Sequence, residues 1–281
     1  MDRRFFAEPP VGRGMPADLP RLGLGTYEQT DPEVCAASVE TALNLGYRHV
    51  DTAQGYENEQ AVGEGIGRAD VDREDVFLAT KLLTENLGYD DVIETTEASM
   101  ERLGVDRLDL LYVHWPLNTY DPAETLPALD ELRDRGLIDH VGLSNFLPRQ
   151  LEEARDRLES PIFAHQVECH PLFQQEELRA FAREDDHWLV AYSPLGKAEI
   201  FDHPVIAEVA EEHDATPAQV CLAWLLSKPE VAPIPKATGD HIAQNYGALD
   251  VTLDDDAIAR IDAIEAEERK VDFEQAPWNQ E

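Results

Sequence analysis

Eight short, almost wholly apolar runs recur along the chain, each separated from the next by an amphipathic segment about a dozen residues long or longer. They lie at Leu22–Thr26, Tyr47–Asp51, Val76–Lys81, Leu108–Trp115, Val141–Ser144, Ala164–Glu168, Trp188–Ser193 and Val231–Pro235. An apolar run without alternation is how a strand buried on both faces reads, and a parallel sheet covered by helices needs such strands. The intervening segments carry helix punctuation. Asp31-Pro32 supplies a cap and a first-turn proline ahead of a helix that Gly46 stops, Asp121-Pro122 opens one that Gly136 closes, and Thr216-Pro217 opens Ala218–Ser227. The alternation has no Gly/Ser linker and no break in composition, which predicts one α/β domain over residues 1–281, a closed (β/α)8 TIM barrel. An open doubly wound sheet is the alternative, but no G-x-G-x-x-G follows the first run; Gly63-Glu64-Gly65-Ile66-Gly67 falls inside a helical segment and reads as helix packing. The residues before Leu22, with Gly12, Gly14 and Pro16, are expected to form a hairpin or loop plugging the barrel's N-terminal end. Those after Lys270, with Phe273 and Trp278, are expected to form a tail.

Charge narrows the partners. Asp and Glu number 58 against 23 Lys and Arg, a formal net charge of −35. Such a field repels phosphate backbones and anionic lipid, so neither nucleic acid nor a membrane surface is an expected partner. No run approaches the roughly 18 unbroken apolar residues of a membrane helix, and the N-terminus has no apolar stretch of signal-peptide length. The acids are spread over the helical segments, as in Glu152-Glu153, Glu184-Asp185-Asp186 and Asp254-Asp255-Asp256, and lysine is confined to positions 81, 197, 228, 236 and 270. That combination fits a protein bathed in concentrated salt, as in halophiles. Cys35, Cys169 and Cys221 are too few and too widely spaced for a disulfide framework, which points to a reducing cytoplasm. His165 and His170 flank one strand without the carboxylate or cysteine spacing that would complete a metal site, so no metal is expected.

Barrels of this kind place chemistry at the C-terminal ends of their strands, so the polar residues that end the eight runs are the candidates. The second run ends in Asp51 and leads to Tyr56, the third ends in Lys81, and the fourth carries His114-Trp115. Taken singly, each has a plain structural reading: half of an ion pair, a satisfied core histidine, a loop aromatic. Together at one mouth they form a proton-donor site. A neighbouring ammonium favours the phenolate and lowers the phenol's pKa, a carboxylate holds the ammonium, and a histidine orients a carbonyl oxygen.

These residues sit in motifs that resemble the aldo-keto reductases over about residues 20–270. The carriers are Gly23-Leu24-Gly25-Thr26, Gly46 to Ala53 leading to Tyr56-Glu57-Asn58-Glu59, Leu110 to Pro116, Gly142 to Phe146, Gln166 to Pro171, Tyr192 to Gly196, and Ile234-Pro235-Lys236 with Asn245. The resemblance implies reduction of an aldehyde or ketone with NADPH, or NADH, and a monomer acting on a small carbonyl substrate. Tyr56 would be the general acid, Asp51 and Lys81 its tuners, and His114 the carbonyl orienter. Ser144, Asn145 and Gln166 would hold the nicotinamide carboxamide, Tyr192 would stack on its ring, and the backbone of Ser193, Pro194, Leu195 and Gly196 would approach the pyrophosphate. Gly25, Thr26, Asp51, Ile234, Lys236, Ala237, His241, Gln244 and Asn245 complete the implied cofactor set. Tyr27, Trp115, Phe146 and Trp278, with Tyr56 and His114, are the expected pocket walls.

Two positions depart from the pattern. Tyr27 stands where the family commonly has Trp. The segment after Lys236 is one residue shorter, with Ala237 for a usual Ser and His241 nearest an Arg that grips the adenosine 2′-phosphate, so a titratable ring replaces a charged fork. Cys169 is expected to be buried packing. Two other classes are alternatives: a non-catalytic cofactor-binding redox sensor of the same fold, for which no extra docking segment is evident, and a barrel hydrolase, for which the metal ligands and spaced carboxylate pair are missing.

Overall fold

In the computed structural model, which describes residues 19–280, the eight predicted strands are all present. They are β1 Gly23–Gly25, β2 His49–Asp51, β3 Phe77–Leu82, β4 Leu108–Val113, β5 Ile138–Ser144, β6 Ile162–Glu168, β7 Trp188–Tyr192 and β8 Val231–Pro233, and they pair in parallel in chain order. The seam between the last and first strands is narrow. A parallel bridge joins Gly25 to Lys236, and the Gly25 N–H donates to the Pro235 carbonyl at 3.1 Å. Glycine is required there, because a β-carbon on Gly25 would lie 2.7 Å from the Ile234 carbonyl oxygen.

Helices follow the strands: α1 Pro32–Leu45, α2 Glu59–Arg68, α3 Tyr89–Leu103, α4 Pro122–Asp134, α5 Pro148–Arg157, α6 Glu176–Glu184, α7 Pro204–Glu212, α8 Pro217–Leu226, α9 Asp240–Tyr246 and α10 Asp255–Asp262. The predicted caps are where the sequence places them. Asp31 accepts from the N–H groups of Glu33 and Val34, Asp121 from Ala123, and Thr216 from Gln219. Gly63 and Gly65 lie in α2 at helix crossings, where a β-carbon would come within 2.3 Å of the Leu103 carbonyl and 2.5 Å of the Ala36 carbonyl. The glycine pattern there serves packing, as expected. The predicted hairpin or loop before Leu22 falls mainly on residues 1–18, outside the described residues. Leu19 packs with the barrel interior, and Arg21 donates to the carbonyls of Leu226, Lys228 and Val231.

Period-two alternation divides the strand side chains between two cores. Leu78 and Leu82 of β3, Leu111 and Val113 of β4, and Leu189 of β7 pack outward with the helices. Phe77 and Ala79, Leu110 and Tyr112, Trp188 and Val190, and Ala232 with Ile234 fill the interior. Continued by two residues, the inner rows end in Lys81, His114, Tyr192 and Lys236, while Asp51 follows His49 and Gln166 follows Ala164. One periodicity therefore delivers the polar ends of several strands to one mouth.

Candidate active site

Asp51 and Lys81 form the floor of that mouth, with side chains 2% and 0% exposed. The Lys81 ammonium donates to Asp51 Oδ1, to the Thr52 carbonyl at 2.8 Å and to the Tyr56 hydroxyl oxygen at 3.3 Å. Gln166 Nε2 donates to the other Asp51 oxygen at 2.8 Å, so both carboxylate oxygens are engaged. A buried pair persists only when its remaining polar atoms are also satisfied, and this one meets that condition. Tyr56 sits on a short 3₁₀ turn, Gln54–Tyr56, directly after β2, which brings its ring edge-on to His114 at 5.7 Å between centroids.

The electrostatics revise one expectation. Burial acts against charge on Lys81, but Asp51 and Tyr56 outweigh it and hold the ammonium above the ordinary lysine range. Burial also raises the Tyr56 phenol, and the pull of Lys81 does not cancel it, so Tyr56 stands above rather than below the usual phenol range. The expected lowering is thus present as a component but not as the net direction, because the half-buried ring loses more hydration than the ammonium returns. Burial, reinforced by Lys81, holds His114 well below the normal imidazole range, so its ring is neutral at neutral pH.

Ser144, Asn145 and Gln166 are brought together but bond one another. Ser144 Oγ donates to the Gln166 carbonyl at 2.9 Å, Asn145 Nδ2 to Ser144 Oγ and to the His114 carbonyl at 3.0 Å each, and the Tyr192 hydroxyl to Asn145 Oδ1 at 2.9 Å. Tyr192 is therefore pinned by its hydroxyl, and its half-buried ring stacks on no other aromatic ring among the described residues. A face of that kind suits a flat heterocycle. Beyond it, Ser193 and Gly196 take left-handed backbone conformations, φ 46° and 50°, in the loop that also holds Pro194 and Leu195. Thr26 Oγ1 donates to the Asp51 carbonyl at 3.0 Å beside Gly25, tying β1 to the site.

At the β8 end, Ile234 and Ala237 are buried and Lys236 is exposed. In α9, His241 Nδ1 lies 3.0 Å from Gln244 Oε1, and Asn245 is 4% exposed. A stacking ring, amides at a strand end and an exposed ammonium are together a donor set that a nicotinamide dinucleotide would fit.

The expected pocket walls separate. Tyr27 is 55% exposed and packs edge-on against Tyr56, while Trp115 meets Trp278 and Phe273 of the tail at 5.7 and 4.9 Å. Phe146 is 2% exposed and lies edge-on to Tyr120 in the core, apart from that group, after Asn145 takes a left-handed backbone conformation, φ 62°, and breaks the alternation of β5. Cys169 is buried, and loss of hydration pushes its thiol up to about 12.

Three contributors have no local signal in the sequence. Asn58 accepts from Thr52 Oγ1 at 2.8 Å and donates to the Thr26 carbonyl at 2.8 Å, joining the loops after β1 and β2. The tail's contact with Trp115 and the clamp that holds the tail are the others. Glu168, fully buried, accepts from the backbone N–H groups of Lys270 and Val271 at 2.5 and 2.9 Å and lies 3.0 Å from His170 Nε2.

The sequence profile described as the Aldo/keto reductase family matches residues 21–202 and 202–266. An aldo-keto reductase of Mycolicibacterium smegmatis is 39% identical over 253 residues, covering 89% of this chain and 91% of its own. The glyoxal reductase of Bacillus subtilis is 37% identical over 254 residues, covering 90% and 91%. The solved structure of aldose reductase from Schistosoma japonicum superposes with a TM-score of 0.87 at 29% identity, covering 94% of each chain.

Proposed function

Because the chain belongs to the aldo/keto reductase family, we propose that it reduces the carbonyl of a small aldehyde or ketone to an alcohol, using NADPH and accepting NADH. The observation that carries the reading is the Lys81 contact to the Tyr56 oxygen at 3.3 Å. The ammonium donates to the phenol's lone pair, so the phenol's own O–H proton is left free for a carbonyl oxygen in the mouth. The nicotinamide, when bound, supplies the hydride. Tyr56 gives the proton as charge develops on the carbonyl oxygen, and neutral His114 orients that oxygen by hydrogen bonding. Lys81, held by Asp51, stabilises the tyrosinate left behind.

Ser144, Asn145 and Gln166 would hold the carboxamide, Tyr192 would back the ring, and Ser193–Gly196 with Lys236 and His241 would take the phosphates. Tyr27, Trp115 and Trp278 form the substrate walls. The relative named glyoxal reductase supports a small dicarbonyl within the substrate range. The acidic surface and the three buried free cysteines support a reducing, salt-rich cytoplasm as the setting.

The test is a panel of aldehydes, ketones and 2-oxo acids with each reduced cofactor, followed by the loss of nicotinamide absorbance, with Tyr56→Phe as control. Carbonyl-dependent oxidation that Tyr56→Phe abolishes is expected. No turnover with any carbonyl would overturn the reading.

A further inference from the structure

Tyr56 rides on a turn with few bonds of its own. The 3₁₀ turn Gln54–Tyr56 has no capping side chain. Its backbone bonds run from the Tyr56 N–H to the Ala53 carbonyl at 3.1 Å and from the Glu57 N–H to the Gln54 carbonyl at 3.2 Å, and Glu57 then leaves in a left-handed conformation, φ 55°. Such a turn fixes its own shape but not its place against the barrel. The Gln54 side chain carries it across to its neighbours. Nε2 donates to the Thr95 carbonyl and to Ser99 Oγ of α3, at 3.1 Å each, and Oε1 accepts from the Leu83 N–H at 2.8 Å and from Asn86 Nδ2 at 3.2 Å. Both donors and both acceptor positions of the amide are filled. The Leu83 N–H can only donate and the Thr95 carbonyl only accept, so the amide has one orientation.

This bridge joins the two halves of the proton-donor pair. Gln54 stands two residues before Tyr56, and Leu83, directly beyond β3, stands two after Lys81. The other side of Lys81 is tied to the same serine. Thr80 Oγ1 donates to Glu59 Oε1 at 2.6 Å, and Arg102 Nη2 donates to Glu59 Oε2 at 2.6 Å and to Ser99 Oγ at 3.0 Å. Lys81 therefore has a fixed frame, and Gln54 links the turn of Tyr56 to it. At 3.3 Å the contact from Lys81 to Tyr56 is close to the long limit of a hydrogen bond. A small shift of the turn would break it.

We propose that Gln54 is a positioning residue of the reaction: its amide sets the gap between the Tyr56 phenol and the Lys81 ammonium without touching substrate or cofactor. This rests on the reductase reading and extends it to a residue outside the mouth. Misplacing a reacting group by about 1 Å costs up to about 100-fold in rate. The cost falls on kcat, because the interaction at stake matters in the transition state and not in substrate binding.

The experiment follows reduction of 4-nitrobenzaldehyde with reduced cofactor by wild type, Gln54→Leu and Gln54→Glu. Leucine fills the space and removes all four bonds, whereas glutamate keeps the two accepting bonds toward β3. In Gln54→Leu, kcat is expected to fall about 10–100-fold with KM and cofactor Kd close to wild type, and Gln54→Glu should recover part of the loss. The phenol gives a second readout. In protein carrying tyrosine labelled with carbon-13 at Cζ, the Tyr56 resonance, assigned by its absence in Tyr56→Phe, should move in Gln54→Leu and move less in Gln54→Glu. A kcat near wild type in Gln54→Leu overturns the proposal even if Tm falls, since Gln54 would then be a strut. A loss confined to KM overturns it too, and so do equal losses in the two variants. If Gln54→Leu does not fold, Gln54→Glu decides: a lowered kcat with a moved resonance supports the proposal, and absence of either overturns it. If wild type does not reduce the aldehyde, the reductase reading lacks its support and the resonance alone judges the positioning. A moved resonance in Gln54→Leu then supports it, and an unmoved one overturns it.

Discussion

The Lys81 ammonium donates to the Tyr56 phenolic oxygen from 3.3 Å, and Asp51 anchors that ammonium from the other side. The contact leaves the phenol with a proton to give and a cation beside the oxygen that gives it. Burial raises the phenol against the pull of Lys81, so Tyr56 is protonated throughout the neutral range. Removing the proton should therefore remove the reaction. Tyr56→Phe is expected to lower kcat by about 10²–10⁴-fold, the usual scale of general acid catalysis, with cofactor Kd unchanged in a fluorescence titration.

Lys81→Met should cost stability as well as rate. The substitution leaves the Asp51 carboxylate, with its side chain 2% exposed, without its cation. Breaking a buried pair from one side costs about 3–5 kcal/mol. Chemical denaturation should show a loss of that order, whereas Tyr56→Phe should sit close to wild type.

Acid should unfold the protein earlier than its carboxylates alone would require. Burial holds His49 and His187 down at about 4 and His114 and His165 well below the ordinary range. The unfolded chain takes up these protons near pH 6.5 and the native state does not. Stability is thus full above about pH 6.5 and falls as pH drops toward the native values, by about 1.4 kcal/mol per pH unit for each imidazole. His187→Asn should flatten the slope of stability against pH between 6 and 4.5 by up to one proton.

Cofactor choice should be weakly selective. His241 bonds Gln244 and Ala237 is buried where a charged fork and a hydroxyl would grip a 2′-phosphate, leaving exposed Lys236 as the nearby ammonium. His241→Arg is expected to raise the NADPH-to-NADH ratio of kcat/KM by about 10–100-fold. An unmoved ratio would place the phosphate elsewhere.

Salt should stabilise the fold. A charge of −35 repels itself until counterions shorten the screening length, from about 10 Å at 0.1 M to about 3 Å at 1 M. The Tm should rise between 0.1 and 2 M KCl.

The strands, their order and the caps of α1, α4 and α8 were legible in the sequence, because apolar runs, turn residues and caps act over a few neighbouring positions. So was the convergence of Asp51, Lys81 and His114, since a period of two carries each inner row to the same barrel mouth. Three matters were decided only by the tertiary structure. Phe146 faces the core rather than the mouth, because the left-handed Asn145 ends the alternation that would have carried the inner row on to it. Tyr56 stands above the ordinary phenol range because packing, not the identity of its neighbours, sets how much hydration it loses against how much charge Lys81 returns. Glu168 clamps the Lys270 amide, 102 positions further along the chain. No local pattern marks such a clamp: a carboxylate that caps distant amides looks, in sequence, like any other charged residue.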